Sequence, residues 1–312
     1  MVQEKLKIGT RSSQLALWQA RWVQSRIESL HNAVTVELIP IKTRGDKILD
    51  VPLAKVGGKG LFVKELEEAI LDGRCDIAVH SMKDVPVDFP EGLILGPVLT
   101  REDPRDALLS LTALGLDDLP PGARVGSSSL RRQSQLLALR PDLRILSLRG
   151  NVNTRIEKLL EGQFDAIILA AAGVKRLQAT RHVVEYLDFK QMLPANGQGA
   201  VGIEMRKNDP RIHALIQPLD DPPTRHCVLA ERAFLKALEG GCQTPIAGHA
   251  TLTGDNLSLE GRILSLDGQT CFSGTVTGST QEGERLGTEL ATRLLHAGAD
   301  RLLAALTQKI SE

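Results

Sequence analysis

Apolar residues recur along the chain in short blocks separated by polar, glycine-rich turns, and the blocks alternate between the spacing of a strand and that of a helix. Lys5 to Gly9 predicts a strand, closed by Thr10-Arg11-Ser12-Ser13 and followed by a helix whose stripe includes Leu15, Trp18 and Trp22. A serine at that helix start leaves backbone N–H groups pointing outward, a ready anion site that Arg11 would strengthen. Val34 to Ile41 predicts the next strand, ending at Thr43-Arg44-Gly45-Asp46, then a helix from Phe62 to Leu71, then Asp72-Gly-Arg-Cys-Asp76 before the apolar Ile77-Ala78-Val79.

The same order of signals then returns. Arg124-Val-Gly-Ser-Ser-Ser129 leads into a helix that Pro141 ends; Leu143 to Leu148 closes with Arg149-Gly-Asn151; Glu161-Gly-Gln-Phe-Asp165 precedes Ala166-Ile-Ile-Leu169. Such an ordered repeat predicts two similar doubly wound α/β lobes, each a mostly parallel sheet covered by helices. Leu99–Arg105 and Met192–Gly199 are the expected crossings, Ala200–Met205 returns to the first lobe, and Asp220-Asp-Pro-Pro223 is the expected linker. Beyond it, strands near 246–252, 257–263 and 271–276 and a long helix from Glu284 to Leu306 predict a small α+β domain. The expected division is 1–99 with 200–219, then 100–199, then 220–312.

Composition narrows the function classes. Lys plus Arg and Asp plus Glu both number 38, so bulk charge selects neither nucleic acid nor an anionic membrane, and any electrostatic function must be local. The four cysteines form no C-x-x-C and no metal-type spacing with the histidines, so no metal is expected. No long apolar run and no signal core is present, and a soluble, reduced, cytoplasmic chain is expected. No exposed apolar stripe asks for a partner, which predicts a monomer.

The local excess lies between Arg124 and Arg155, where seven arginines face one acid, Asp142. Arg131 and Arg132 fall in a first helical turn, where cations are unfavourable unless an anion sits there. Arg149 and Arg155 follow one strand end and Arg176 the next, the side on which open α/β sheets bind ligands. Planar guanidinium forks suit carboxylates, so a multiply anionic small molecule is predicted; a solvated basic face is the alternative. Asp84 lies just past the apolar run ending in His80-Ser81, where it could stabilise developing positive charge, or merely pair with Lys83. Pro52 to Gly60, with Lys55 and Lys59, is a candidate cationic lid, though not a P-loop.

Cys242 follows a helix with apolar residues Ala230, Ala233, Phe234, Ala237 and Leu238, whose end is predicted at a left-handed Gly240-Gly241. That end of the dipole disfavours a thiolate, which suits a sulfur that reacts once with a strong electrophile and stays attached. A small apolar cysteine beside a cap is the alternative the residues leave open.

The runs GGKGLFVKELEEAIL, HSMKDVP, VGSSSLRRQSQL, RGNVNTR, LPANGQGAVGIE and ERAFLKALEGGCQTPIAG together resemble the porphobilinogen deaminase (hydroxymethylbilane synthase) family from about Ile8 to Gly248. The resemblance implies a transferase that condenses four porphobilinogen molecules on a dipyrromethane cofactor joined to Cys242 by a thioether. It implies that Asp84 assists loss of ammonia. It implies that Lys83, Ser129, Arg131, Arg132 and Arg155 hold the cofactor's carboxylates, and that Arg11, Ser13, Arg149, Arg176 and Gln198 serve the substrate. Lys55, Lys59 and Phe62 would belong to the lid. The paired lobes also resemble type II periplasmic-binding-protein-like folds, which makes a solute binder the rival reading; a presented thiol and an acid at a strand end are features a pure binder does not need. A cysteine hydrolase lacks a histidine near Cys242 in sequence.

Overall fold

The computed structural model describes residues 4–47, 60–61, 63–241 and 244–311. They fall into two compact units. Of the described residues, unit one takes in those within 4–47, 60–102 and 200–225; unit two takes in those within 103–199 and 226–311.

Unit one is built on β1 (Glu4–Arg11), β2 (Val34–Ile41), β3 (Ile77–Ser81), β4 (Leu93–Val98) and β10 (Val201–Arg206), in the order β2-β1-β3-β10-β4. β1 is parallel to β2 and β3, whereas β10 is antiparallel to both β3 and β4, so four of the five strands point one way. Pro40 and Pro97 sit in β2 and β4, the two edge strands, where a missing N–H is tolerated. α1 (Gln14–Leu30), α2 (Arg44–Lys47), α3 (Lys64–Leu71) and α7 (Pro210–Ile216) accompany this sheet. The face α1 buries is Ala16, Gln19, Ala20, Val23 and Ile27, one position away from the predicted stripe. Small alanines let the helix approach the strands. Trp18 and Trp22 flank that face, half-buried, their rings stacked with centroids 5.9 Å apart.

Unit two repeats the plan with β5 (Asp106–Ser110), β6 (Arg124–Gly126), β7 (Arg144–Leu146), β8 (Ala166–Ala170) and β9 (Val183–Leu187), ordered β7-β6-β8-β5-β9. Here β5 is the inverted strand, antiparallel to β8 and β9. Its helices are α4 (Leu130–Leu139), α5 (Val152–Leu160) and α6 (Ala171–Arg176). In each sheet the inverted strand is the one entered just after the chain changes unit, at Glu102/Asp103 and Gly199/Ala200.

The sequence repeat has a physical cause. Gly73 and Gly162 close α3 and α5 with left-handed φ values of 73° and 71°. The aspartates that follow clamp the neighbouring strand: Asp76 accepts from the Lys7 N–H at 2.8 Å and Asp165 from the Arg124 N–H at 2.7 Å. A Cβ on Gly9 would lie 2.8 Å from Cys75 Sγ, and one on Gly126 2.9 Å from the Phe164 ring, so each strand needs glycine where it passes the residue before its clamp.

Unit two also carries α8 (Pro222–Ala237) from His226 on, the antiparallel strands β11 (Ile246–Thr253), β12 (Asn256–Leu264) and β13 (Cys271–Ser279), and α9 (Gly283–Leu294) and α10 (Asp300–Ser311). Gly248, Gly261 and Gly274 pair in register across the three strands. The fully buried Phe234 of α8 lies on that row, where a Cβ on Gly261 would come within 2.5 Å of its ring. Two expectations change. The supposed linker is the start of α8: the Asp221 carboxylate accepts from the Thr224 N–H at 3.1 Å, and Pro222 takes the first helical position, where no N–H is missed. The single long C-terminal helix is two helices, broken by a wide turn at 295–299 in which Gly298 has φ 115°.

Candidate functional site

In unit one the predicted residues gather at the carboxyl ends of β1 and β3, adjacent parallel strands. Arg11 ends β1, half-buried. Ser13 caps α1, its hydroxyl accepting from the Ala16 N–H at 3.3 Å, while buried Thr10 bonds back to the Ala16 carbonyl. β3 runs into a 3₁₀ turn at Met82–Asp84, which places Lys83 and Asp84, both half-buried, directly beyond the strand. The turn is tied at three points: Met82 N–H donates to the Ala200 carbonyl, Gln19 of α1 donates to the Ser81 hydroxyl at 2.9 Å, and Val85 N–H closes onto Met82. Asp84 is therefore carried by pinned backbone.

In unit two the equivalent strand ends carry the arginines. β6 passes through Ser127–Ser129 into α4, whose N-cap Ser129 makes no capping bond with its hydroxyl. Arg131 and Arg132 occupy the first turn, 4% and 5% exposed. Their anion is one the sequence reading missed. Asp106, fully buried at the start of β5, receives Arg132 Nη2 at 2.8 Å and Nε at 3.1 Å on one oxygen, and Arg131 Nη1 lies 2.8 Å from the other. Asp106 stands about 25 positions upstream of the arginines, outside any local count of charge. One carboxylate against two buried guanidiniums leaves a desolvated positive excess, and burial lowers the Arg131 pKa with Arg132 adding to the effect against Asp106. Arg131 Nε is buried with no hydrogen-bond partner among the described residues.

The remaining basic residues divide in two. Arg124 pairs with Asp165 and Arg140 with Asp142, both at 2.8 Å, so these two are structural. Arg149 and Arg155 frame the turn between β7 and α5, where Arg155 Nε donates to the Gly150 carbonyl at 2.8 Å and burial lowers the Arg149 pKa. Arg176, at the end of α6, donates to the Gly199 carbonyl at 2.8 Å.

Gln198 stands just before β10. It is fully buried, and its amide nitrogen donates to the Pro104 carbonyl at 2.8 Å and to Asp106 at 3.0 Å. The carboxamide nitrogen thereby braces the acid that holds the arginine pair.

Cys242, together with Lys55, Lys59 and Phe62, lies outside the described residues. The backbone leading to the cysteine is defined. α8 ends with Glu239 N–H on Lys236 O and Gly240 N–H on Leu235 O, a Schellman closure in which the left-handed residue is Glu239 (φ 51°) and not either glycine. Gly240 is glycine for space, since a Cβ there would lie 2.6 Å from Ile246 Cδ1. Beyond the cysteine, the Thr244 hydroxyl donates to Gly241 O at 2.7 Å. Among the described residues no cluster of His, Cys, Asp and Glu could hold a metal ion.

These positions suit a ligand bearing several carboxylates: an uncapped helix start, an orphaned buried guanidinium N–H, and arginines at successive strand ends. Two family descriptions match the chain, "Porphobilinogen deaminase, dipyromethane cofactor binding domain" over residues 6–214 and "Porphobilinogen deaminase, C-terminal domain" over residues 225–296. The chain is 55% identical to a porphobilinogen deaminase of Syntrophotalea carbinolica, covering 98% of this chain and 97% of that protein. It is 56% identical to one of Pelobacter propionicus, covering 99% of each. Among solved structures it is similar to the periplasmic VFT2 domain of Bordetella pertussis BvgS, at 14% identity and a TM-score of 0.41, covering 69% of this chain and 85% of that one. From the two family matches and the near full-length identity, the chain belongs to the porphobilinogen deaminase family.

Proposed function

We propose that this chain is a transferase, working as a cytoplasmic monomer, that joins four porphobilinogen molecules head to tail onto a covalently held dipyrromethane and releases ammonia and linear hydroxymethylbilane. The observation that carries the reading is the cofactor-binding-domain match over residues 6–214, which spans every described residue given a role below. When bound through Cys242, the dipyrromethane supplies a free pyrrole α-carbon as the growing end.

The chain's own residues supply charge and position. Arg131, Arg132 and Arg155, with Lys83 and the Ser129 hydroxyl, would hold the cofactor's carboxylates. Arg11, Ser13, Arg149, Arg176 and Gln198 would serve the incoming porphobilinogen, each charge-assisted bond to its carboxylates contributing about 1.5–3 kcal/mol. Asp84 would accept a hydrogen bond from the substrate's pyrrole N–H and stabilise the positive charge that develops as ammonia departs. Its pinned turn suits that work, because a carboxylate already in place needs no reorganisation when the charge appears. Lys55, Lys59 and Phe62 are assigned to a lid on the sequence alone.

The test is an intact-mass spectrum of denatured protein alongside turnover. The wild type should carry a two-pyrrole adduct that Cys242→Ser loses. Asp84→Asn should keep the adduct and the fold while turnover falls by about 10²-fold or more. An active wild type of unmodified mass, or an Asp84→Asn variant with full turnover, defeats the reading.

A further inference from the structure

Glu231 lies in the middle of α8, fully buried, and no charge transfer or ligand contact described above uses it. Both its oxygens accept backbone N–H groups from other segments: Oε2 from Gly197 at 2.6 Å and Oε1 from Ala250 at 2.8 Å. A carboxylate is the only side chain of that length able to accept at both ends. An amide would have to turn a donor toward one of the two N–H groups. Asn196 strengthens the attachment by donating to the Glu231 backbone carbonyl at 2.5 Å.

The segment held in this way is the one that carries Gln198, which braces Asp106 and through it Arg131 and Arg132. Arg131 also donates to Leu193 O at 2.8 Å, at the other end of the same segment. One continuous path of buried hydrogen bonds thus runs from the helix that leads to Cys242, through residues 193–198, to the arginine pair. Every member lies within unit two.

We propose that Glu231 is a positioning residue that sets the Arg131–Arg132 pair in register with the helix that leads to the tether cysteine. The inference rests on the proposed roles of Cys242 and the arginines. A residue that only filled the core would affect stability alone. A positioning residue fixes where the arginines meet carboxylates relative to the attachment point, so its loss impairs cofactor acquisition and substrate affinity in molecules that remain folded.

The experiment compares wild type, Glu231→Gln and Asn196→Ala by thermal melting, by the fraction of chains bearing the two-pyrrole adduct, and by kcat and KM of the adduct-bearing fraction. Asn196→Ala cuts the link from the segment's side without altering a charge, and remains informative if Glu231→Gln does not fold. The folded variants should show lower adduct occupancy and a KM for porphobilinogen raised about 10-fold, with kcat changed far less. Restoring the carboxylate one methylene shorter, Glu231→Asp, should recover part of both. Folded variants with wild-type occupancy and KM, whatever their melting temperature, overturn the proposal. A wild type without adduct would instead defeat the assignment of Cys242, so the two failures are told apart.

Discussion

Glu239 holds a backbone conformation that L-residues avoid: its φ of 51° closes α8 while two glycines stand just beyond it. The left-handed region costs a side-chain-bearing residue roughly 1–2 kcal/mol, and glycine recovers most of this less its own chain entropy, about 0.5–1 kcal/mol. Glu239 is exposed, so little packing is lost with its side chain. Glu239→Gly should therefore stabilise the protein by about 0.5–1 kcal/mol, raising the urea midpoint without changing the slope. Gly240→Ala, one position on, should destabilise by about 1–3 kcal/mol because its methyl would collide with Ile246 and Leu235. An unchanged midpoint for Glu239→Gly would mean the position is unstrained. The sequence offers Gly240-Gly241 as the obvious cap because conformational freedom is what glycine advertises; that one of them is needed for space is visible only once Ile246 is packed against it. Asp106 escapes for a related reason. Charge patterning is local, and the acid that answers Arg131 and Arg132 comes from another strand. Ser13 was legible because an N-cap is satisfied within its own turn.

At the scale of elements, α3 rests on the first sheet through an unusual contact. Glu67 is 8% exposed, and burial first, then the nearby charge of Glu204, raise its pKa to about 7, with His80 acting in the opposite sense. Glu204 and His80 are themselves buried, joined at 2.9 Å on β10 and β3. A carboxyl raised in the folded state keeps its proton where the unfolded chain, at about 4.5, has released it. The stability it contributes is complete below that value and is lost as pH rises through about 7. Glu67→Gln removes the titration. It should match wild type near pH 4 and exceed it at pH 8 by about 3 kcal/mol, as read from denaturant midpoints. An equal offset at both pH values would show that Glu67 ionises normally. Periodicity finds β1, β2 and β3 with their helices because amphipathic spacing and turn glycines coincide there. It does not reach β4, β5 or β9. β4 contains Gly96-Pro97, which an edge strand accepts but which reads along the chain as a turn.

For the whole molecule, the repeat exposed two similar lobes because each needs the same glycine, helix end and aspartate clamp to place one strand. What the chain order concealed is how the C-terminal sheet is held. The sequence reading set residues 220–312 apart as a domain, and within unit two half-buried polar groups tie its sheet to the second lobe. Arg262 of β12 donates to Phe189 O at 2.8 Å and Lys190 O at 3.0 Å while paired with Glu260 at 2.8 Å. The Phe189 ring lies 4.5 Å from that of His249, and the hairpin glycine Gly268 sits so close to α4 that a Cβ would fall 2.3 Å from Ala138 N. Contacts of this kind join elements distant in sequence, so no periodicity records them. They predict that the C-terminal sheet and the second lobe open as one cooperative unit. Arg262→Ala withdraws two bonds from a charged donor to partly solvated carbonyls and should cost about 1–2 kcal/mol. Under native conditions, amide exchange should accelerate together in β9 and β12, with the adduct on Cys242 retained. Acceleration confined to β11–β13, with β9 unchanged, would mean that the two parts unfold independently and that Arg262 serves only its own sheet.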